Sequence, residues 1–410
     1  MDIPKIISVD DHVIEPLHVW QEWMPKKFAD RAPRVERMTG RMKKLPRRFN
    51  FVEDPDGKPA DVWVFDGLAM PINEGVASAG GDRSKLSNGP MLYDDIQPAA
   101  YDRTARLAAM DSNHTEASLC FPNFPRFCGQ TFLECEDREL GLAAVQAYNN
   151  WMIEEWCGDE AYGRLLPVTL IPLWDAELAA VEVRRCAEKG NTSIAFSESP
   201  PALGLPSVHT DYWDPLWRAC VETGTVVNMH IGSSSTFPRT GPDSPMLTML
   251  TLVHEGSQRA LVDWLCSGVF ERFEALRIAL SEGEVGWMPF LLDRIDYTWR
   301  GHQGYAGVED RITRAPSSYF EGHVYGCLVD DPVALESRHR LPFEQLMYEI
   351  DFPHGDSTFP RTRESAEKLI ADSGLSDVEA AQLLRNNAIG CYRLERFGIE
   401  PAHVPTPSVA

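Results

Sequence analysis

Short apolar runs alternate along the chain with longer stretches that place apolar residues at helical spacing. Most of the short runs lack polar alternation, which indicates strands covered on both faces, as in a parallel sheet wrapped by helices. Eight runs have this character, the seventh more weakly: 5–10, 116–122, 163–173, 192–199, 225–232, 277–283, 325–331 and 346–353. Helices are predicted at 133–158, 175–190, 214–224, 246–270 (with a break near Gly256) and 376–394.

Two of the predicted helices carry recognisable signals at their ends. Asp214 and Pro215 suit an N-cap and a first helical position, and Gly224 suits the end of the same helix. Ser376 and Glu379 have the spacing of a capping box. These signals support discrete helices between the strands.

Eight strands that alternate with helices favour a (β/α)₈ TIM barrel over an open sheet. The stretch 16–110 fits no repeat unit and contains clusters of proline, glycine and charge, so we predict a long insertion after strand 1 that lies over the barrel mouth. We expect a single domain over 1–400 and a loose or partner-bound tail at 401–410.

Charge and composition narrow the classes of protein. The formal net charge of -22 argues against a nucleic-acid partner, and the one basic run, 37–49, is expected to be a solvated face. Nine cysteines without a CxxC pair indicate reduced thiols. The sequence has neither a signal-peptide pattern nor an apolar run near the ~20 residues of a membrane span. We therefore expect a cytoplasmic protein.

Ionisable residues stand at the ends of several predicted strands, where the chemistry of a barrel gathers. Because side chains alternate along a strand, Asp10 and His12 point to one side and Asp11 points to the other. Each of these residues has an ordinary structural interpretation on its own. The full set at the strand ends is Asp10, His12, Glu198, His230, Glu282 and Asp351.

A metal site explains this pattern better than separate structural roles. Each strand is otherwise apolar, so an ionisable end needs a partner. Asp10, His12, His230 and Asp351 would give an N/O ligand set that suits Zn²⁺, Mn²⁺ or Fe²⁺. Such a set leaves a position open for water or substrate if one carboxylate binds through a single oxygen.

The same segments resemble the amidohydrolase superfamily, in the amidohydrolase-related branch that includes aminocarboxymuconate-semialdehyde decarboxylase. The resemblance covers nearly the whole chain and rests on VDDHVIEP, NMHIG, the region 282–296, DFPHGDSTFP, RFCGQTF and HTDYWDPLW. It implies Asp10, His12, His230 and Asp351 as metal ligands, with Asp351 also handling a proton. The decarboxylases have a histidine at the end of strand 6, where this chain has Glu282, which is the expected stand-in. Zinc is the preferred ion, with iron or manganese as alternatives.

Further candidates lie outside this ligand set. Glu198 would bridge to a second metal, with His209 nearby in sequence, or would pair with an arginine or cap a loop. His354 would orient Asp351 or bind a substrate carboxylate. Arg126 and His209 are further candidates for substrate binding. His254 is interpreted as a packed helix histidine.

Three functions fit these residues. The first is a metal-dependent hydrolase or non-oxidative decarboxylase that acts on a small carboxylic-acid or aromatic substrate, with Asp351 and Glu282 moving protons. The alternative is a dinuclear non-haem iron or iron–manganese monooxygenase, suggested by Glu198 and His209. The third is a non-catalytic subunit with a homologous catalytic partner. We expect a small-molecule substrate, no nucleic acid or membrane partner, and a homo-oligomer or a hetero-oligomer with a homologous subunit.

Overall fold

The computed structural model describes residues 3–45 and 48–402 of the chain. Most of the predicted tail, 403–410, lies outside the described residues. The strands are β1 Ile6–His12, β2 Arg34–Lys44, β3 Phe49–Glu53, β4 Lys58–Phe65, β5 Leu68–Pro71, β6 Thr115–Phe121, β7 Leu165–Pro167, β8 Ser193–Phe196, β9 Val226–His230, β10 Ile278–Ser281, β11 Val324–Leu328 and β12 Leu346–Tyr348.

The α-helices follow the strands along the described chain. They are α1 Val19–Trp23, α2 Glu74–Ala77, α3 Arg103–Ser112, α4 Gln130–Leu133, α5 Arg138–Trp151, α6 Ala176–Glu188, α7 Asp214–Thr223, α8 Met246–Leu252, α9 Glu255–Cys266, α10 Val269–Arg272, α11 Met288–His302, α12 Pro332–Glu336, α13 Thr362–Ser373, α14 Asp377–Ala381 and α15 Asn387–Tyr392. Two π-helical turns, Met152–Trp156 and Gln382–Asn386, extend α5 and α14. No helix in the described ranges is both long and apolar enough to cross a membrane.

All eight predicted strands are present, and they form two parallel sheets. One sheet has the order β1-β6-β7 and the other has the order β12-β11-β10-β9-β8. Backbone hydrogen bonds join the sheets at both ends: Ala195 N donates to Thr169 O at 2.9 Å, and Asp351 N donates to Asp10 O at 2.8 Å. Every residue of β1, β8, β9 and β10 is buried, as the lack of polar alternation predicted. The α/β class is therefore confirmed.

A four-stranded antiparallel sheet, with the order β3-β2-β4-β5, occupies part of the predicted insertion. Trp63 of this sheet stacks on Phe124 at 4.8 Å between ring centroids and contacts Trp20 at 5.1 Å. Phe124 follows β6, so the sheet packs against the carboxyl end of that strand. The described part of the basic run lies mainly on β2, where its side chains are mostly exposed or half-buried.

The helix predictions need two corrections. Asp214 is the first residue of α7 and not its N-cap, because the preceding Trp213 already has helical backbone angles. The Asp214 carboxylate accepts a hydrogen bond from Arg272 at 2.9 Å instead of capping its own helix. The break predicted near Gly256 is present between α8 and α9, and the correction is a second break before α10, where Gly268 has a left-handed conformation. The capping box at Ser376 is confirmed.

Candidate metal centre

Four side chains from three distant parts of the sequence meet at one end of the parallel strands. Asp10 and His12 lie at the end of β1, and His230 is the last residue of β9. Asp351 lies three residues beyond β12. All four are buried, with at most 2% of their surface exposed. These side chains lie close together because the carboxyl ends of parallel strands lie at the same end of the sheet.

The donor atoms of the four residues lie close together. His12 Nε2 and His230 Nε2 are 3.1 Å apart. Asp10 Oδ1 is 3.4 Å from His12 Nε2, and Asp10 Oδ2 is 3.3 Å from His230 Nε2. Asp351 Oδ1 is 3.5 Å from His12 Nε2. Such spacing suits donors that converge on a common point.

Backbone carbonyls hold both imidazoles in orientation. His230 Nδ1 lies 2.7 Å from Ile231 O, and His12 Nδ1 lies 3.3 Å from Pro122 O. These contacts place the ring proton on Nδ1 and leave the lone pair of each Nε2 free to bind a metal, which is the usual arrangement of metal-binding histidines. Phe127 stacks on His230 with 4.3 Å between ring centroids and restrains the ring further.

The carboxylates of this cluster have unmet hydrogen-bonding capacity. Neither oxygen of Asp10 accepts a hydrogen bond within the described part of the chain, and the same is true of Asp351 Oδ2. Burying such a group without a partner is costly, and a buried charge is normally paired or bound to a metal. A divalent cation among Asp10, His12, His230 and Asp351 would satisfy these oxygens. The mixed N/O donor set suits Zn²⁺, Mn²⁺ or Fe²⁺.

Burial shifts the pKa of each of these groups toward its neutral form. The pKa values of Asp10 and Asp351 are raised, first by burial and then by repulsion from neighbouring carboxylates, which for Asp351 begin with Glu282. Burial also lowers the pKa of His12, and it lowers the pKa of His230 to about 4. Both imidazoles are therefore neutral at pH 7. A bound cation would favour the ionised carboxylates.

Glu282 lies beside this cluster, where the sequence predicted a proton-handling group. Its Oε2 is 3.5 Å from His230 Nε2, and its side chain is 16% exposed. Donor atoms of Glu282, Asp351 and Asp356 lie within 4.8 Å of one another. Glu282 and Asp351 both have left-handed backbone angles, with φ of 52° and 59°. Non-glycine residues of this kind concentrate at functional sites.

His354 also belongs to the cluster. Its ring stacks on His12 at 3.9 Å between centroids, and its Nδ1 lies 2.7 Å from Asp351 Oδ1. The predicted role of orienting Asp351 agrees with this contact. Its Nε2 has no hydrogen-bond partner among the described residues, so it is available to a ligand.

Three other predicted residues lie apart from the cluster, and their roles in the site stay predictions. The Glu198 carboxylate accepts hydrogen bonds from Ser234 Oγ at 2.7 Å and Gly232 N at 3.0 Å, so it holds the loop after β9. His209 Nε2 lies 3.2 Å from Asp263 in a partly exposed position. Arg126 contacts the Glu134 carboxylate and the Ser235 hydroxyl.

Some residues near the site were not predicted from the sequence. Glu349 is fully buried, and its Oε2 accepts a hydrogen bond from Glu282 N at 3.1 Å. Its spacing of two residues from Asp351 would have indicated a shared face. Phe127 carried no comparable signal, whereas Asp356 lies in the polar segment that follows Asp351 at the end of strand 8. His254 is the residue before α9, and its Nδ1 lies 3.0 Å from Glu282 O.

Comparison with known proteins agrees with this geometry. The profile of the amidohydrolase family matches residues 72–394. No curated protein matches the sequence. An amidohydrolase structure from Mycobacterium avium subsp. paratuberculosis K-10 is 21% identical, with a TM-score of 0.70 over 95% of this chain and 99% of that one.

Two decarboxylase structures share the fold with lower TM-scores. A 5-carboxyvanillate decarboxylase from Sphingomonas paucimobilis is 22% identical, with a TM-score of 0.57 over 72% of this chain and 84% of that one. Another from Novosphingobium aromaticivorans, with bound manganese and a nitrobenzoic acid, is 17% identical, with a TM-score of 0.58 over 77% and 86%. The family profile spans most of the sequence. The chain therefore belongs to the amidohydrolase family, in the amidohydrolase-related branch that its strand-end motifs indicated.

Proposed function

We propose that this protein is a metal-dependent enzyme that removes a carboxyl group, without oxidation, from a small aromatic or other carboxylic acid. The observation that carries the proposal is the convergence of Asp10, His12, His230 and Asp351, in which both oxygens of Asp10 and Oδ2 of Asp351 accept no hydrogen bond from the described residues. Solved structures of decarboxylases with the same fold support this reaction over hydrolysis. Hydrolysis by the same centre is the competing outcome of the test below.

Asp10, His12, His230 and Asp351 would hold the cation. When bound, the cation polarises a substrate oxygen and so favours charge that develops during the reaction. Manganese in the related structure from N. aromaticivorans supports manganese as well as zinc. Among the described residues the Nε2 of His354 has no hydrogen-bond partner, and with the ring proton on Nδ1 toward Asp351 it can accept a hydrogen bond from a substrate hydroxyl.

Glu282 and Asp351 are proposed to handle the proton. Decarboxylation replaces a carboxylate by hydrogen, so one proton must reach the carbon that CO₂ leaves. Burial raises the pKa of both carboxyls, and repulsion between them adds to the shift of Asp351. One of the two can therefore hold a proton near neutral pH and donate it. Glu282 is the better donor because its side chain reaches toward solvent, from which it can regain the proton.

Aromatic side chains at the mouth of the site support an aromatic substrate. Phe127 is half-buried over His230, and Phe237 is 47% exposed. A Cβ atom at Gly232 would lie 3.0 Å from Phe127 and 3.3 Å from Phe237, so both rings border the same loop. Flat apolar surfaces of this kind contact aromatic rings well.

We also propose that the two parallel sheets form one closed (β/α)₈ barrel and that the insertion covers its mouth. The hydrogen bonds from Ala195 to Thr169 and from Asp351 to Asp10 support closure. An ion pair between Arg48 and Glu134 supports the position of the insertion. Arg48 directly precedes β3, and Glu134 also pairs with Arg126. This chain of charges links the insertion to the loop that carries Phe127.

The proposed function is tested by preparing metal-free protein and reloading it with Zn²⁺, Mn²⁺ or Fe²⁺. The substrate panel consists of hydroxybenzoic acids and small unsaturated dicarboxylic acids, with CO₂ release as the readout. A parallel panel of amides and lactones detects hydrolysis. We expect cation-dependent CO₂ release that D351N abolishes and the exposed control D310N preserves. A protein that binds no divalent cation, or that only hydrolyses the second panel, would overturn the proposal.

A further inference from the structure

A buried arginine lies behind the cluster and contacts it through the main chain of His12. Arg106, on α3, is 2% exposed. Its Nη2 donates to His12 O at 2.6 Å, and its Nε donates to Ala99 O at 2.7 Å. The guanidinium thus fixes the main chain of one proposed ligand and ties it to the segment that precedes α3.

A buried carboxylate makes a matching contact with the other side of the centre. Asp11 is 3% exposed and lies between the proposed ligands Asp10 and His12. Its Oδ1 accepts a hydrogen bond from Phe352 N at 2.7 Å, and its Oδ2 accepts one from the Ser118 hydroxyl. Phe352 directly follows Asp351, so Asp11 fixes the main chain of that ligand.

The two contacts meet at Phe352. The Arg106 guanidinium lies over the Phe352 ring, with 4.4 Å from Cζ to the centroid. His12 N also donates to Phe352 O at 2.6 Å. Arg106 and Asp11 therefore restrain the ends of β1 and of the β12 segment against each other.

A purely structural role does not account well for this pair. Removing two opposite charges from water carries a desolvation cost that well-packed apolar residues avoid. Arg106 instead donates a hydrogen bond to the main chain of His12, and Asp11 accepts one from the main chain of Phe352, next to Asp351. Outer contacts of this kind commonly orient metal ligands in proteins.

We propose that Asp11 and Arg106 are positioning residues that hold His12 and Asp351 at the spacing needed to bind the cation. The inference rests on the proposed metal-dependent function, and it extends the centre to two residues that touch neither cation nor substrate. Asp11, which the sequence placed on the opposite side of β1 from the proposed ligands, has a role through Phe352.

The test measures cation affinity in D11N and R106M, with Zn²⁺ competed against a chromogenic chelator and Co²⁺ absorption as a record of ligand geometry. We expect Zn²⁺ to bind about 10- to 100-fold more weakly in both variants, which is the usual effect of losing such contacts. The Co²⁺ spectrum should change as well. R106K, which keeps the charge, should recover part of the affinity.

R103M is the matched control, because Arg103 lies on the same helix but binds Glu155 and Glu160. Its affinity should stay within about twofold of wild type. Circular dichroism first confirms that each variant is folded, and R106Q replaces R106M if that variant is not. Wild-type affinity in folded D11N together with folded R106M or R106Q would overturn the positioning role. A wild-type protein that binds no cation would instead contradict the proposed function.

Discussion

Replacing Asp351 by asparagine should make the metal-free protein more stable while removing its response to metal. The donor atoms of Asp351 and Glu282 lie within 4.8 Å of each other, and both carboxyls are largely buried. Asparagine has nearly the same shape, keeps an oxygen toward His354, and removes one negative charge. The substitution therefore relieves repulsion without opening a cavity.

The size of the effect follows from the separation of the two groups. The two carboxylates are at most 4.8 Å apart, and two unit charges at that separation repel by about 3.5 kcal/mol at an effective dielectric constant of ~20; protonation of either group removes the repulsion. A 410-residue chain has an entropy of unfolding of roughly 0.9 kcal/mol per degree. With both carboxyls ionised in wild type, the metal-free variant should thus melt about 4 °C above metal-free wild type at pH 8.

The pH dependence has a defined sign. Because the pKa of Asp351 is raised in the folded protein, the folded state holds protons that the unfolded state releases, and stability falls as pH rises from the unfolded pKa toward the folded one. This loss of stability should be smaller in D351N, and the melting temperatures of the two metal-free proteins should converge near pH 4. Added Zn²⁺ at 100 times its Kd should stabilise wild type by about 2.7 kcal/mol, or about 3 °C.

Differential scanning calorimetry of metal-free and metal-loaded protein between pH 4 and pH 8 checks these values. D310N, which removes an exposed carboxylate, is the control and should behave as wild type. The reasoning fails if metal-free D351N melts below wild type at pH 8, or if Zn²⁺ stabilises the variant as much as wild type.

Three further substitutions test other contacts. E282Q should lower kcat by about 10²-fold or more with little change in KM, because it removes a proton donor; steady-state kinetics would contradict this if kcat were unchanged. G256A should destabilise the protein by about 1–3 kcal/mol in thermal melts, since its Cβ would lie 2.1 Å from Glu198 Oε2, whereas G304A, with open space around it, should not. H209N should retain full activity, and a loss of activity would instead support the predicted substrate-binding role of His209.

Local rules explain why the strands and the cluster residues could be predicted. The predicted strands β1, β8, β9 and β10 are buried along their whole length, and the lack of polar alternation that signals such burial is visible in any short window of sequence. Two-residue alternation places Asp10 and His12 on one side of β1 and Asp11 on the other, as the contacts of all three show. The start of α7 was missed because Trp213 is held in helical geometry by its buried surroundings, which override the preference of Asp214.

The sequence by itself determined the α/β class, the order of the strands along the chain and the identity of the polar residues at their ends. It did so because alternation and strand length are local properties of the backbone. Only the tertiary structure decided which end groups meet. Glu282 reaches His230 whereas Glu198 turns to the loop after β9, and Asp11 gains a role through Phe352. These contacts join residues tens to hundreds of positions apart, and the paths of the loops and the packing of the strands set them, which no local pattern encodes.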